Sequence, residues 1–223
     1  MALRSFAGLA VIAVTALGAE AVSAADRAVA LSFGTTGFTL EASALLNEKV
    51  AVRAGGSLFG ANVTREESDL EFDADLKLRS LAGYLDFHPS GGAFRLSGGL
   101  VYNKKRVEAT AVPTGGTFEL DDVTYQASEV GTLSGVGRIG TRTWAPYLGL
   151  GFGSPRGDAR VFFALDLGVI FQGPPKIELS ATGPLASDAG FQADLKAEED
   201  DANDELEPFK YYPVLSIGIG VRF

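Results

Sequence analysis

Bulky apolar residues alternate with small or polar residues along eight segments of this 223-residue chain. A period of two is the side-chain period of a β-strand whose two faces meet different surroundings. Near Ser80 the alternation slips by one position, which we interpret as a β-bulge. The eight segments span residues 29–33, 38–46, 50–58, 76–87, 94–102, 144–152, 161–171 and 215–223. The sequence therefore predicts an all-β chain of eight strands.

Short and long connections alternate between these segments along the chain. Tight turns are predicted at 47–49, 88–92 and 154–158. Long loops are predicted at 60–73, 104–143 and 172–210. Short periplasmic turns, long outer loops and an even strand number are typical of outer-membrane barrels. The tight turn at 34–37 is the exception, because it stands where an outer loop is expected.

The alternation by itself also fits a water-soluble barrel with an apolar interior. The sizes of the side chains favour the membrane alternative. The small face is rich in Gly, Ala and Ser, which suits the narrow interior of eight strands, and the bulky face suits lipid. Aromatic residues near the strand ends indicate interfacial girdles; they are Phe94, Tyr102, Trp144, Phe163, Phe171 and Phe223. We expect an eight-stranded antiparallel transmembrane β-barrel with three long outer loops and short periplasmic turns.

The two ends of the chain fit an exported protein of the bacterial outer membrane. Residues 1–25 combine a positive charge, an apolar stretch and small residues before Ala24, which predicts a signal peptide. Residues 26–223 are then one barrel domain, and they contain no cysteine. The last strand, with Ile219, Val221 and a final Phe223, resembles the signal that the outer-membrane assembly machinery recognises.

Nearly all of the formal net charge of −9 lies in one predicted outer loop. The loop could form a short helix across the mouth of the barrel, with Phe191, Leu195, Ala202 and Leu206 on one side. Two interpretations stay open: a vestibule that attracts basic solutes or divalent ions near lipopolysaccharide, and a solvated, mobile loop. The spacing is not that of an EF-hand, so no metal site is predicted. The acidic residues are Asp194, Glu198, Glu199, Asp200, Asp201, Asp204, Glu205 and Glu207.

A second set of ionisable residues falls on the small face and is therefore predicted to lie in the lumen. Buried charges must pair, because an isolated buried charge is strongly destabilising. The set is either a gate or relay for solutes, or a static plug of salt bridges that fills a narrow interior. Its members are Glu41, Arg53, Lys77, Arg79, Asp86, Arg95, Asp166 and Arg222.

Four segments of the sequence resemble the CarO family of outer-membrane proteins. They are Gly34–Phe38, Ala145–Gly153, Gln172–Leu179 and Phe209–Pro213. The resemblance implies an eight-stranded barrel with a proposed role in the uptake of ornithine, other basic amino acids and carbapenems.

Taken together, these patterns predict a monomeric barrel that allows slow passage or binding of small solutes, basic amino acids among them. The alternative is a structural or surface-interaction barrel with a plugged lumen and no transport. Catalysis is not expected, because His88 is the only histidine and lies in a predicted periplasmic turn. No cofactor is expected, and the acidic chain has no electrostatic reason to bind nucleic acid. The expected partners are outer-membrane lipid, lipopolysaccharide and the assembly machinery.

Overall fold

The computed structural model describes residues 27–67, 70–113, 116–120 and 123–223. The predicted signal peptide, residues 1–25, lies outside the described residues. Eight strands form the barrel wall: β1 (Arg27–Gly34), β2 (Gly37–Leu45), β3 (Val50–Glu67), β4 (Leu70–Phe87), β5 (Phe94–Pro113), β9 (Trp144–Phe152), β10 (Val161–Ile170) and β12 (Tyr212–Arg222). Four shorter strands lie beyond the wall: β6 (Thr117–Leu120), β7 (Val123–Gln126), β8 (Leu133–Arg138) and β11 (Lys176–Ala181).

The wall closes on itself, which confirms the predicted eight-stranded antiparallel barrel. Neighbours around the wall run in the order β1, β2, β3, β4, β5, β9, β10, β12, and β12 pairs with β1. That last pairing runs from Ala28 opposite Arg222 to Gly34 opposite Ser216. Phe223 adds a hydrogen bond of 3.0 Å from its backbone N–H to the carbonyl of Arg27. The final apolar strand therefore has no open edge.

Short connections at one end of the wall, here called the turn end, link β2 to β3, β4 to β5 and β9 to β10, as predicted. The opposite end is called the loop end. Here β1 and β2 are joined by the tight turn that the sequence predicts, and Gly37 closes it with a φ of 90°. A side chain is strained in this conformation, so the turn favours glycine.

The predicted loop at 60–73 is a strand hairpin instead. β3 and β4 stay paired up to Glu67 opposite Leu70. The outward positions of this part carry polar residues such as Asn62 and Thr64, so the apolar alternation ends although the backbone pairing continues. The sequence pattern therefore marks where the apolar wall ends and not where the strands end.

The predicted bulge near Ser80 is also wrong. The pairing of β4 with β3 is continuous from Leu78 opposite Phe59 to Leu81 opposite Gly56. Leu78 faces the interior and is buried, whereas Leu81 faces outward and is exposed. The slip in the sequence pattern is thus caused by an apolar residue on the inner face of a regular strand.

A cap of chain segments covers the loop end. β5 continues above the wall and pairs with β8, and β8 pairs with β11. The cap also holds the β6–β7 hairpin, the short helix α1 (Ala127–Val130) and the longer helix α2 (Ala189–Leu206). Its apolar core is formed by Val130, Phe191 and Leu195. No helix among the described residues is long and apolar enough to cross a membrane.

Side chains of α2 cover the free edge of β11. Asn203 accepts a hydrogen bond from the N–H of Ile177 at 2.8 Å and donates one to the carbonyl of Ile177 at 3.0 Å. Glu199 accepts one from the N–H of Leu179 at 2.9 Å. These contacts satisfy backbone groups that an uncovered edge strand would leave unpaired.

Candidate functional site

Five charged side chains meet in the lumen near the turn end, and Arg53 on β3 is at their centre. Its Nη1 lies 2.8 Å from Oε1 of Glu41 on β2, and its Nε lies 2.9 Å from Oδ2 of Asp86 on β4. Its Nη2 reaches across the lumen to Oδ1 of Asp166 on β10, 3.2 Å away. One guanidinium therefore connects three carboxylates from three strands.

Arg95 on β5 is the second base of this cluster. Its Nη2 donates to both carboxylate oxygens of Asp166 at 2.9 and 2.8 Å, and its Nη1 donates to the carbonyl of Gly153 at 2.6 Å. The hydroxyl of Ser97 donates to Asp86 at 2.5 Å. All five charged side chains are at most 7% exposed. Three carboxylates thus face two guanidinium groups in a site that water hardly reaches.

Small residues on the inner face make room for this cluster. A Cβ on Gly55 would run into the side chain of Glu41, and one on Gly151 would press on Asp166 and Arg95. The glycine-rich inner face predicted from the sequence is therefore what lets long charged side chains fit into a narrow barrel.

An apolar layer lies above the charged cluster, toward the loop end. It consists of Val101, Ala145, Tyr147, Ile170 and Val214, with Tyr84 and Tyr212 packed against it. The rings of Tyr84 and Tyr147 meet edge to face at 5.0 Å, and the guanidinium of Arg53 lies 4.3 Å from the ring centre of Tyr84. The cavity between the two layers measures only about 20 Å³. It has room for about one water molecule, so little free space separates the two layers.

Polar groups return above the apolar layer. The Nζ of Lys105 lies 3.4 Å from the ring centre of Tyr212. Lys105, Asn103 and Gln172 are buried, and none of the described residues forms a hydrogen bond with Lys105 Nζ, the Asn103 amide or Gln172 Oε1. The top of the lumen is therefore a polar layer with free hydrogen-bonding capacity.

The eight predicted lumen charges separate into three groups. Glu41, Arg53, Asp86, Arg95 and Asp166 form the cluster just described. Arg222 faces the lumen at the turn end but does not join the cluster. Its Nε donates a hydrogen bond of 3.0 Å to the carbonyl of Ser154, and its Nη1 donates to the carbonyl of Ala159. Its guanidinium also stacks on the ring of Phe162.

For Lys77 and Arg79 the prediction is wrong, because both lie on the outward face of β4 and are exposed. The prediction depended on a bulge at Ser80, which would turn Lys77 and Arg79 inward; in the regular strand they point outward. Lys77 pairs with Asp75 at 3.3 Å and Glu108 at 3.5 Å, outside the lumen.

The acidic segment is the helix α2, not an irregular loop. Phe191 and Leu195 are buried in the cap core, as the predicted apolar side requires, while Ala202 and Leu206 are half-buried. Asp188 caps the helix by accepting hydrogen bonds from the N–H groups of Gly190 and Phe191. The described residues contain no group of three or more His, Cys, Asp and Glu side chains arranged to hold a metal ion.

Several α2 carboxylates are engaged in contacts within the cap. The hydroxyl of Tyr125 donates to Asp194 at 2.5 Å, and this hydrogen bond raises the pKa of Tyr125 to about 12. Lys196 lies 2.7 Å from Glu199 and 2.6 Å from Asp200. The hydrogen bond from Lys196, followed by that from the Leu179 N–H, lowers the pKa of Glu199. The other acidic residues, among them Asp201, Asp204, Glu205 and Glu207, are exposed.

An apolar pocket of about 570 Å³ opens between the cap and the barrel mouth, and we call it the vestibule. The inner face of the β5–β8–β11 sheet forms one wall, with Val107, Ile177 and Leu179. Phe209 and Tyr212 form the other. Neither this apolar pocket nor the apolar layer is predicted by the sequence pattern. The only local signal was the presence of Tyr84 and Tyr147 at inner-face positions where small residues prevail.

Comparisons with solved structures identify the same architecture in known proteins. The chain is similar to CarO of Acinetobacter baumannii, with 18% identity and a TM-score of 0.58 over 88% of this chain and 97% of that one. The chain is also similar to CarO2 of the same organism, with 18% identity and a TM-score of 0.58 over 89% of this chain and 98% of that one. The chain has the CarO fold. No family model and no curated protein matches the sequence. The CarO-like barrel predicted from the sequence is thereby confirmed at the level of the fold.

Proposed function

We propose that this CarO-like chain is a non-catalytic outer-membrane barrel whose lumen is sealed and which binds small molecules at its loop end. The location is supported by the outward face of the wall. Phe163 is 79% exposed, Ile217 65% and Trp144 63%, and most of the other bulky outward side chains are similarly exposed. In water, an apolar surface of this extent would drive aggregation, whereas a bilayer accommodates it.

The dimensions of the wall agree with a bilayer. β9, β10 and β12 are 9, 10 and 11 residues long, which is the length that a tilted strand needs to cross the hydrocarbon core. Aromatic pairs lie at both ends of the belt: Tyr102 and Trp144 toward the loop end, 5.0 Å apart, and Phe94 and Phe152 toward the turn end, 5.5 Å apart. Such pairs are typical of the two membrane interfaces.

The close packing of the apolar layer and the charged cluster is the observation that carries the functional proposal. A solute would have to displace the apolar layer around Tyr147 and then separate Arg53 from three carboxylates. Breaking a buried ion pair is strongly unfavourable, because each partner is left without compensation. The static plug is thus the interpretation of the lumen charges that the geometry favours.

The vestibule supplies a site for binding without passage. Its walls are almost entirely apolar, and its charged lining residues among those described are Arg138 and Lys176. No described carboxylate lines it, so the pocket does not favour basic amino acids such as the resemblance implies. It suits an apolar molecule with an anionic group, held by the apolar walls and attracted by the basic rim.

The proposal is non-catalytic because the one histidine is held in a structural role. His88 is buried in the β4–β5 turn, with Nδ1 2.8 Å from the carbonyl oxygen of Gly92. The monomeric state and recognition of the last strand by the assembly machinery stay predictions.

Planar-bilayer recording tests the sealed lumen. We expect no stepwise conductance from the purified, folded barrel, and none after Glu41→Gln, which neutralises one member of the cluster. Insertion is verified separately by flotation with lipid vesicles and by the heat-modifiable band on a gel. Reproducible conductance that Glu41→Gln alters would contradict the sealed lumen.

Binding in the vestibule is tested with an anionic arylsulfonate dye on barrels in lipid nanodiscs. Ala109→Leu fills the pocket from the inner face of β5 and should abolish the dye signal above that of empty discs. Thr110→Val, at the next position on the outer face, is the matched control. An unchanged signal in Ala109→Leu would rule out this pocket.

A second candidate, slow passage of small solutes, is favoured by one observation. The polar layer with Asn103, Lys105 and Gln172 has free hydrogen-bonding capacity above the seal. This arrangement could hold a hydrated solute in transit if the tyrosines below it rearranged. The bilayer recording decides between the two candidates, since only passage gives conductance.

A further inference from the structure

A cavity of about 420 Å³ on the outside of the barrel wall has basic residues along its lining. Among the described residues, no carboxylate lines it. Lys77, Arg79 and Arg106 lie on the outward faces of β4 and β5, so the cavity opens on the outer surface of the wall, and Asn103 and Lys105 line its inner side, where it borders the top of the lumen. The six basic residues are Lys77, Arg79, Lys105, Arg106, Arg138 and Arg142.

The cavity begins where the apolar belt ends. On β4 the last exposed apolar residue of the belt is Leu81, and the next outward position is Arg79, roughly 7 Å further along the strand. Leu81 is paired with Tyr102, which is paired with Trp144, so the aromatic girdle lies at the same height. Head-group phosphates lie just outside the hydrocarbon core, at the height of this girdle and of the basic residues above it.

The charges around the cavity are unbalanced. Glu108 lies 2.7 Å from Arg106 and 3.5 Å from Lys77, Asp75 lies 3.3 Å from Lys77, and Glu178 lies 3.9 Å from Arg138. Three acids thus form ion pairs with three of the six basic residues.

The other three basic residues are Arg79, Lys105 and Arg142. No carboxylate whose side chain the structure describes lies within 4 Å of their charged groups. Lys105, at the back of the cavity, is only 4% exposed, and its Nζ has no hydrogen-bond acceptor among the described residues. Excess positive charge in a cavity at this height favours an anionic ligand.

We propose that this cavity binds the phosphate groups of lipid A, the phosphorylated glycolipid of the outer leaflet. The inference rests on the proposed function, because only a barrel in the outer membrane meets this lipid. Arginine guanidinium groups bind phosphate oxygens through two parallel hydrogen bonds, and Lys77 adds a point charge. The apolar belt directly below the cavity would contact the acyl chains of the same molecule. A lipid therefore uses both surfaces, whereas free phosphate would use only the basic one.

Native mass spectrometry of the purified full-length mature barrel, with added diphosphoryl lipid A, tests the site. The double variant Arg79→Gln/Arg142→Gln should bind this lipid roughly 25-fold more weakly, since each basic residue near an anionic surface contributes about fivefold in affinity. Arg156→Gln/Arg160→Gln, which removes two exposed arginines at the turn end, is the matched control and should bind like the wild type. We also expect the wild type to prefer diphosphoryl over monophosphoryl lipid A.

The outcomes separate this inference from the proposed function. A barrel that fails to float with vesicles and has no heat-modifiable band would overturn the outer-membrane assignment itself. A barrel that passes both tests, but whose double variant binds diphosphoryl lipid A as well as the control pair does, overturns only the lipid site. Equal wild-type affinity for the two forms of lipid A, or full displacement by inorganic phosphate at equal phosphate concentration, overturns it without any variant.

Discussion

Replacing Arg53 with methionine tests the charged cluster most severely, because methionine keeps much of the side-chain volume and removes the charge. Among the described residues, Arg53 is the only base within 4 Å of Glu41. Asp166 keeps its paired hydrogen bonds from Arg95, and Asp86 keeps the one from Ser97. The substitution therefore leaves Glu41 as the stranded carboxylate, 7% exposed.

The expected size of the effect follows from this geometry. Removing one partner of a buried ion pair destabilises a protein by about 3–5 kcal/mol. In a chain of this length, each kcal/mol corresponds to roughly 2–4 °C of melting temperature, so we expect a decrease of about 6–20 °C. The added substitution Glu41→Gln removes the stranded charge and should restore a large part of that loss.

The assay is the temperature at which the folded, heat-modifiable band disappears on a gel, supported by guanidinium titration in lipid vesicles. Arg79→Met is the matched control, because Arg79 is an exposed outward residue and its replacement should change stability by less than about 0.5 kcal/mol. If Arg53→Met melts at the temperature of Arg79→Met, the cluster does not hold the lumen together. If Glu41→Gln fails to compensate, the stranded carboxylate is not the cause of the loss.

Three further predictions concern the lipid-facing wall and the cap. Leu167→Arg, on the outward face of β10, should destabilise the barrel in vesicles by about 2–4 kcal/mol, measured by guanidinium titration; a water-facing position would change little. Asn203→Ala removes both hydrogen bonds to the backbone of Ile177, so the exchange of that amide hydrogen should accelerate roughly fivefold or more. The pKa of Glu199 is lowered from its ordinary value of 4.5, so the stability that its carboxylate contributes is complete above that pH and is lost as the pH falls through the folded value. The protection of the Leu179 amide against hydrogen exchange should therefore decrease as the pH falls below 4.5, and a flat protection profile would contradict the role of the carboxylate.

The barrel could be predicted because each strand carries its own signal. In β10, Val161, Phe163 and Leu167 face outward and Asp166 faces inward, as the period of two requires. The same local rule placed six charged residues on the inner face, the five of the cluster and Arg222. The rule failed for Lys77 and Arg79, because Leu78 on the same strand is an apolar residue that faces the interior above the charged cluster. In the sequence, an apolar residue at an inner position looks the same as a shift of the apolar residues to the other face.

Pairing within the lumen could not be predicted, because it depends on the stagger of strands that are far apart in sequence. Arg53 and Asp166 are 113 positions apart, and their contact exists only once the wall has closed. The vestibule is equally non-local. Its wall forms because β8 and β11 join the upper part of β5, and the glycines of β8 give no signal of that partner.

Depth-dependent quenching of Trp144 fluorescence in lipid vesicles tests the central claim most directly. Trp144 is the only tryptophan of the chain, it points outward, and it lies at the loop-end edge of the belt. We predict a blue-shifted emission that lipids brominated near the head group quench strongly and that aqueous iodide quenches weakly. A folded protein whose Trp144 is quenched by iodide as readily as free tryptophan, and not by brominated lipid, would contradict a wall that faces the membrane.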